Sequence, residues 1–90
     1  MNKSQLVERL AEKTNTTKSH SEAVLDAAIE IIQKAVSKGE EVKLVGFGTF
    51  TRINRKSRTA RNPKTGEPVK IPGTTVPRFK PGKEFKEIVS

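Results

Sequence analysis

The residues with the most chemistry to offer lie between Arg52 and Pro77. Seven cations stand there (Arg52, Arg55, Lys56, Arg58, Arg61, Lys64 and Lys70) against the single anion Glu67. Set among them are Asn62-Pro63, Thr65-Gly66, Pro68 and Pro72, which favour turns over buried structure. Guanidinium and ammonium groups at this density match a polyanion. Catalytic groups are scarce by comparison. The chain has no Cys and one His, His20. His20 stands near a helix start and reads as a surface residue. Glu40-Glu41 reads as a solvated helix-to-strand turn, not as a metal site. No glycine-rich phosphate loop is present. The expectation is a non-enzyme with no catalytic residue, no cofactor and no metal.

The charge is segregated. Residues 1–50 hold seven Lys/Arg and seven Asp/Glu, whereas residues 51–90 hold eleven against three, so the whole net charge of +8 lies in the second part. A surface kept basic for solubility alone would not need that segregation; a polyanion partner would. Ninety residues make one domain at most, and a chain this short buries only about 60–65% of its unfolded surface, so its stability as a monomer is doubtful. Without Cys, neither disulfides nor a thiolate zinc site can staple it. No apolar run approaches the ~20 residues of a membrane span. The charged start, MNKSQLVERLAEK, does not resemble a signal peptide. Together these features suggest a cytosolic protein.

The elements that must position the cations can be read from the periodicity. Asn2 with Gln5 forms a capping box ahead of Leu6, Val7, Leu10 and Ala11, which share one helical face. Asn15 and Thr16-Thr17 break that helix. Thr17 is a good second N-cap, with Ser19 and Glu22 as a competing box. A second helix then runs from about Lys18 to Lys38, with Gly39 as its stop. Its apolar residues, from Val24 and Leu25 through Ile29, Ile31 and Ile32 to Val36, sweep an arc of roughly 200°, about twice the stripe an ordinary surface helix needs. This helix has two faces to hide. A second copy of the chain could cover one; the alternative is a monomer in which the first helix and a sheet cover both.

In EVKLVGFGTFTRINR, Val42 and Leu44 alternate with charged residues as in a half-buried strand, and Gly46 and Gly48 bracket Phe47, which implies a tight turn with Phe47 driven into the core. Phe47, Phe50, Phe79 and Phe85 are the only aromatics and suit a core better than a base-stacking platform. From Arg52 onward both strand registers are polar. The simplest reading is a two-stranded ribbon, out to Asn62-Pro63 and back through Val69 to Val76, with a tip that is mobile until it meets a partner; the alternative is a disordered basic loop. Phe85, Ile88 and Val89 line one face of a short final helix after Pro81-Gly82.

VGFGTF (45–50), Arg55, Arg58, ARNPKTG (60–66) and VPRFKPGKEFK (76–86) closely resemble the bacterial histone-like HU family and its relative, integration host factor. The resemblance extends to MNKSQLVERLAEK and runs the length of the chain. It implies an α+β fold: a single domain over 1–90, with a helical part at 1–40, sheet and arm at 41–80, and a short helix at 81–90. It further implies an intertwined dimer with a helical body, a small antiparallel sheet and protruding β-ribbon arms that enter the minor groove of duplex DNA. Pro63 would be the wedge that kinks the duplex, with Arg61 and Asn62 beside it in the groove. Arg55, Arg58, Lys64 and Lys70 would follow the phosphates along the arm, and Lys3, Lys83 and Lys86 would meet the flanking backbone on the body. Ile53 departs from the basic residue that many relatives carry there. A rigid, apolar ring without an N–H can pry open a base step without demanding a hydrogen bond, and a bent duplex offsets the unstacking with added phosphate contacts.

The function implied is a homodimeric, nucleoid-associated protein of the cytoplasm that bends and compacts double-stranded DNA without reading sequence, and that prefers bent, nicked or gapped DNA. The alternatives are a sequence-preferring subunit resembling integration host factor, as a heterodimer with a paralogue, and a general nucleic-acid binder that also takes RNA.

Overall fold

The computed structural model describes all 90 residues. The first two helices open on a side chain that accepts from an orphan backbone N–H, whereas the last, opened by Gly82, has no side-chain cap. Helix α1 (Lys3–Thr14) starts from the reciprocal box anticipated above: Gln5 N–H donates to Asn2 Oδ1 at 2.9 Å, and Asn2 N–H donates to Gln5 Oε1 at 3.1 Å. Asn15 takes the left-handed conformation (φ 57°, ψ 45°) and closes the helix, with Thr16 N–H returning to Ala11 C=O at 3.0 Å. Helix α2 (Lys18–Ser37) is capped by Thr17, whose Oγ1 accepts from His20 N–H at 3.1 Å, so the competing Ser19 lies inside the helix. At its far end Gly39 (φ +87°) supports the same closing pattern, with Glu40 N–H on Ala35 C=O at 2.9 Å and Gly39 N–H on Val36 C=O at 3.0 Å.

The chain forms two compact units, Met1–Lys34 and Ala35–Ser90, and α2 runs through the boundary between them. In the first unit Val7 and Ala11 of α1 are buried, and the buried Ser21 hydroxyl is satisfied by Thr16 Oγ1 at 2.8 Å. Leu10 is half-buried and Leu6 exposed, so the apolar face of α1 is only partly used. On α2, Val24, Ala28 and Ile31 share one face by helical spacing and are all exposed, Ile31 at 67%. The wide arc read from the sequence is therefore real, and one side of it has no cover within the chain.

The second unit is built on a three-stranded antiparallel sheet, order β1–β2–β5: β1 (Val42–Leu44), β2 (Gly48–Arg55) and β5 (Thr74–Pro81). A separate two-stranded ladder follows from β3 (Arg58–Arg61) and β4 (Pro68–Ile71). Helix α3 (Lys83–Val89) closes the chain. The β1–β2 turn needs its glycines for two different reasons. Gly46 sits at φ +85°, where a side chain is strained. At Gly48 a Cβ would lie within 2.6 Å of both the Phe79 ring and Lys80 C=O, so strand β5 could not approach. That approach allows the four phenylalanines to cluster. Phe50 and Phe79 are cross-strand partners with ring centroids 4.8 Å apart, and Phe47 lies 5.1 Å from Phe79 and 5.3 Å from Phe85.

The sequence placed Phe47 in the core; it joins the cluster but remains 44% exposed, because nothing in its own chain covers its outer face. The ribbon also differs from expectation. It is not one continuous ladder but two, interrupted at Lys56-Ser57 on one strand and Pro72-Gly73 on the other. Pro72 has no N–H to give, and the backbone at Gly73 passes so near Arg55 that a Cβ there would lie 2.8 Å from its carbonyl oxygen.

Candidate nucleic-acid interface

The root of the arm is the β2–β5 ladder, which carries the chain out from the Phe50–Phe79 pair to Arg55–Thr74. Strand alternation gives it two unlike faces. One holds Phe50 and Phe79, and beyond them Arg52, Pro77, Asn54 and Thr75; the Thr75 hydroxyl donates to Asn54 Oδ1 at 2.8 Å. The other holds Thr49, Thr51, Ile53, Val76, Arg78 and Lys80. Ile53 is half-buried against its partner Val76, so this departure from a basic residue supplies a cross-strand apolar pair that stiffens the root. Arg52 is not on call for an anion: its Nη1 donates to Ser37 C=O at 2.9 Å, ending α2 and tying that helix to the sheet of the second unit.

Beyond the interruption, β3 and β4 pair as Arg58↔Ile71, Thr59↔Lys70, Ala60↔Val69 and Arg61↔Pro68. Arg61 and Lys70 consequently share one face, while Arg58 stands on the other beside Ala60, Val69 and Ile71. Arg55, Arg58, Arg61, Lys64 and Lys70 are all exposed, and none is held in an ion pair. The cations nominated along the arm are thus gathered on one thin ribbon, available to a polyanion from either face.

The tip is ordered by its own hydrogen bonds. Asn62 N–H donates to Glu67 C=O at 2.8 Å, and Asn62 C=O accepts from Gly66 N–H at 2.7 Å. Asn62 Oδ1 accepts from Lys64 N–H at 2.9 Å, and Thr65 Oγ1 accepts from Glu67 N–H at 3.3 Å. Gly66 takes φ +74° with open space around it, so its role is conformational. Pro63 is exposed at the apex.

The body lysines divide. Lys83 opens α3 and Lys86 lies within it; both are exposed and neither is ion-paired. Lys3 is engaged: its Nζ lies 2.7 Å from Asp26 Oδ1 and 3.7 Å from Glu22 Oε1. The hydrogen bond to the Asp26 carboxylate, with Glu22 adding its charge, holds the Lys3 ammonium above its ordinary pKa of 10.5. Arg78 and Lys80 are not among the cations that the sequence marks for the interface. They flank Phe79 in one strand, so once Phe79 turns to the aromatic cluster both cations must point to the opposite face. The Arg-Phe-Lys alternation was the available signal.

A model of the family described as "Bacterial DNA-binding protein" matches residues 1–90, the entire chain. The chain belongs to this family, that of the HU proteins. The HU of Clostridium pasteurianum is 52% identical over 90 residues, covering all of this chain and 99% of its own, and the HU of Nostoc sp. is 53% identical, with 96% of its length covered. Among solved structures, an Anabaena HU–DNA cocrystal structure superposes with a TM-score of 0.90 at 53% identity, over 100% of this chain and 98% of that one. HU from Thermotoga maritima superposes at 0.72 and 36% identity, over the whole of both chains. An HU fold of three helices and small antiparallel sheets is what the element order here reproduces. No helix is long and apolar enough to cross a membrane.

Proposed function

We propose that this protein is an architectural DNA-binding protein that works as a homodimer: its two arms lie in the minor groove, Pro63 wedges a base step, and the duplex bends around the body. The observation that carries this reading is the arm, a ribbon bearing five exposed, unpaired cations and ending in an exposed proline on a hydrogen-bonded turn. The Anabaena relative bound to DNA supports it, as does membership of a family defined by DNA binding, not catalysis. Such binding is nearly blind to sequence, because cations on phosphates carry no base information and the minor groove separates little beyond A·T from G·C. A site of action on the nucleoid, in the cytoplasm, follows from that partner.

Along the arm, Arg55, Arg58, Lys64 and Lys70 meet phosphates while Arg61 and Asn62 enter the groove beside Pro63. Arg78 and Lys80 extend the basic track at the root, and Lys83 and Lys86 serve the flanking backbone. Lys3 joins only after release from Asp26. The second copy covers the exposed face of α2 and the outer face of Phe47, where large apolar groups are left to water within one chain. A wedge of this kind has a lower cost on DNA that is already bent, nicked or gapped, which gives a preference for those forms.

Anisotropy titrations on intact duplex, nicked duplex and duplex RNA across a salt series test the reading. Log affinity for DNA is expected to fall with log salt by about 0.9 per phosphate neutralised, steeper than about −4 in total, with nicked DNA preferred. Equal affinity for RNA with no preference for the nick would instead make the protein a general polyanion binder, since the deep A-form groove does not suit the wedge.

A further inference from the structure

We infer that Asn62 is a positioning residue for the Pro63 wedge, acting through its own side chain before DNA arrives, an inference that rests on the wedge reading above. Three groups of Asn62 are already committed within the arm. Its N–H closes the β3–β4 ladder onto Glu67 C=O at 2.8 Å, its C=O holds Gly66 N–H at 2.7 Å, and its Oδ1 holds Lys64 N–H at 2.9 Å. The last bond spans Pro63 in a side-chain-mimicked turn, so the proline lies between two points fixed by the same residue. Pro63 contributes no N–H of its own, and the Asn62 side chain is the one that bonds to the backbone of residues 62–64; the Thr65 hydroxyl acts further on, at Glu67. A two-stranded ribbon with few apolar pairs has little else to define the direction of its apex.

The role separates cleanly from a groove contact, because a positioning residue works only through the proline. The full-length protein carrying P63A, N62A, N62D or both alanines would be titrated on intact and nicked duplex of one sequence. Duplex bending would be read alongside by energy transfer between labelled ends. P63A is expected to reduce affinity for intact DNA more than for nicked DNA. N62A is expected to do the same, shifting the intact-to-nicked affinity ratio by about three- to tenfold, as loss of one hydrogen bond would. N62D keeps the acceptor but adds an anion: it is expected to weaken both substrates alike and leave that ratio near wild type. The double variant is expected to shift the ratio no further than P63A alone. Equal losses of N62A on both substrates, or a double variant whose shift is the sum of the two, would overturn the positioning role and leave Asn62 as a direct contact. If P63A itself leaves the ratio unchanged, the wedge reading is what fails.

Discussion

At the scale of single residues, the proposed interface contains both free cations and restrained ones, and the difference decides what each can contribute. The exposed lysines and arginines of the arm need lose only water and counterions on meeting phosphate. Lys3 must also leave Asp26 and Glu22, at 2.7 and 3.7 Å. Its raised pKa makes this ion pair a contribution that is fully present below the unfolded value near 10.5 and lost as pH rises through the folded one. Near neutrality the pair is therefore not a pH switch; salt and competing phosphate control it. D26N is expected to release Lys3 and steepen the salt dependence of DNA affinity by up to about 0.9 for each phosphate then neutralised, read from a salt series. An unchanged slope would mean that Lys3 lies outside the footprint. The Lys3 pair was not legible in the sequence, because it joins residues 23 positions apart on different helices. The Asn2–Gln5 box was, because its partners are three residues apart and the motif is local.

At the scale of elements, local signals again read true and long-range ones did not. The helix limits, the Asn15 and Gly39 stops, the Gly46 turn and the ribbon with its tip all follow from nearby residues. The interruption of the arm at Pro72-Gly73 is not legible in the sequence, since it depends on how closely the opposite strand passes Gly73. In the fold Arg55 pairs with Thr74, and a Cβ at Gly73 would lie 2.8 Å from the Arg55 carbonyl oxygen and 3.2 Å from Ser57 N. Phe47 was placed too deep for a related reason: apolarity predicts burial but not which chain supplies the cover. G73A is expected to force the two ladders apart where they meet, at a local cost of about 1–3 kcal/mol. Amide exchange across Arg55–Thr74 and Arg58–Ile71 would quicken, and binding to intact duplex would weaken, with the helical part unaffected. Unchanged exchange in the arm would show that the break tolerates a side chain.

At the scale of the whole molecule, one chain leaves a broad apolar surface in water, the surface that the proposed homodimer covers. Val24 and Ile31 on α2, Val45 at the hairpin turn and Phe47 in the aromatic cluster are all exposed, and no large side chain is fully buried. If the chain acted alone, I31E would be an ordinary surface change worth less than about 0.5 kcal/mol. In a homodimer that covers α2, the same change buries an unpaired carboxylate. I31E is therefore expected to halve the mass by analytical ultracentrifugation and to lower the melting temperature in a concentration-dependent way; an unchanged dimer would place the interface elsewhere.

A dimer that bends intact duplex by inserting Pro63 must bring the ends of that duplex closer together. The most direct measurement is the end-to-end distance of a doubly labelled intact duplex, followed by energy transfer while protein is added at fixed salt. The distance is expected to shorten in step with binding, and P63A is expected to bind with little shortening. Saturated binding of the unaltered protein with no change in distance would rule out bending by the wedge.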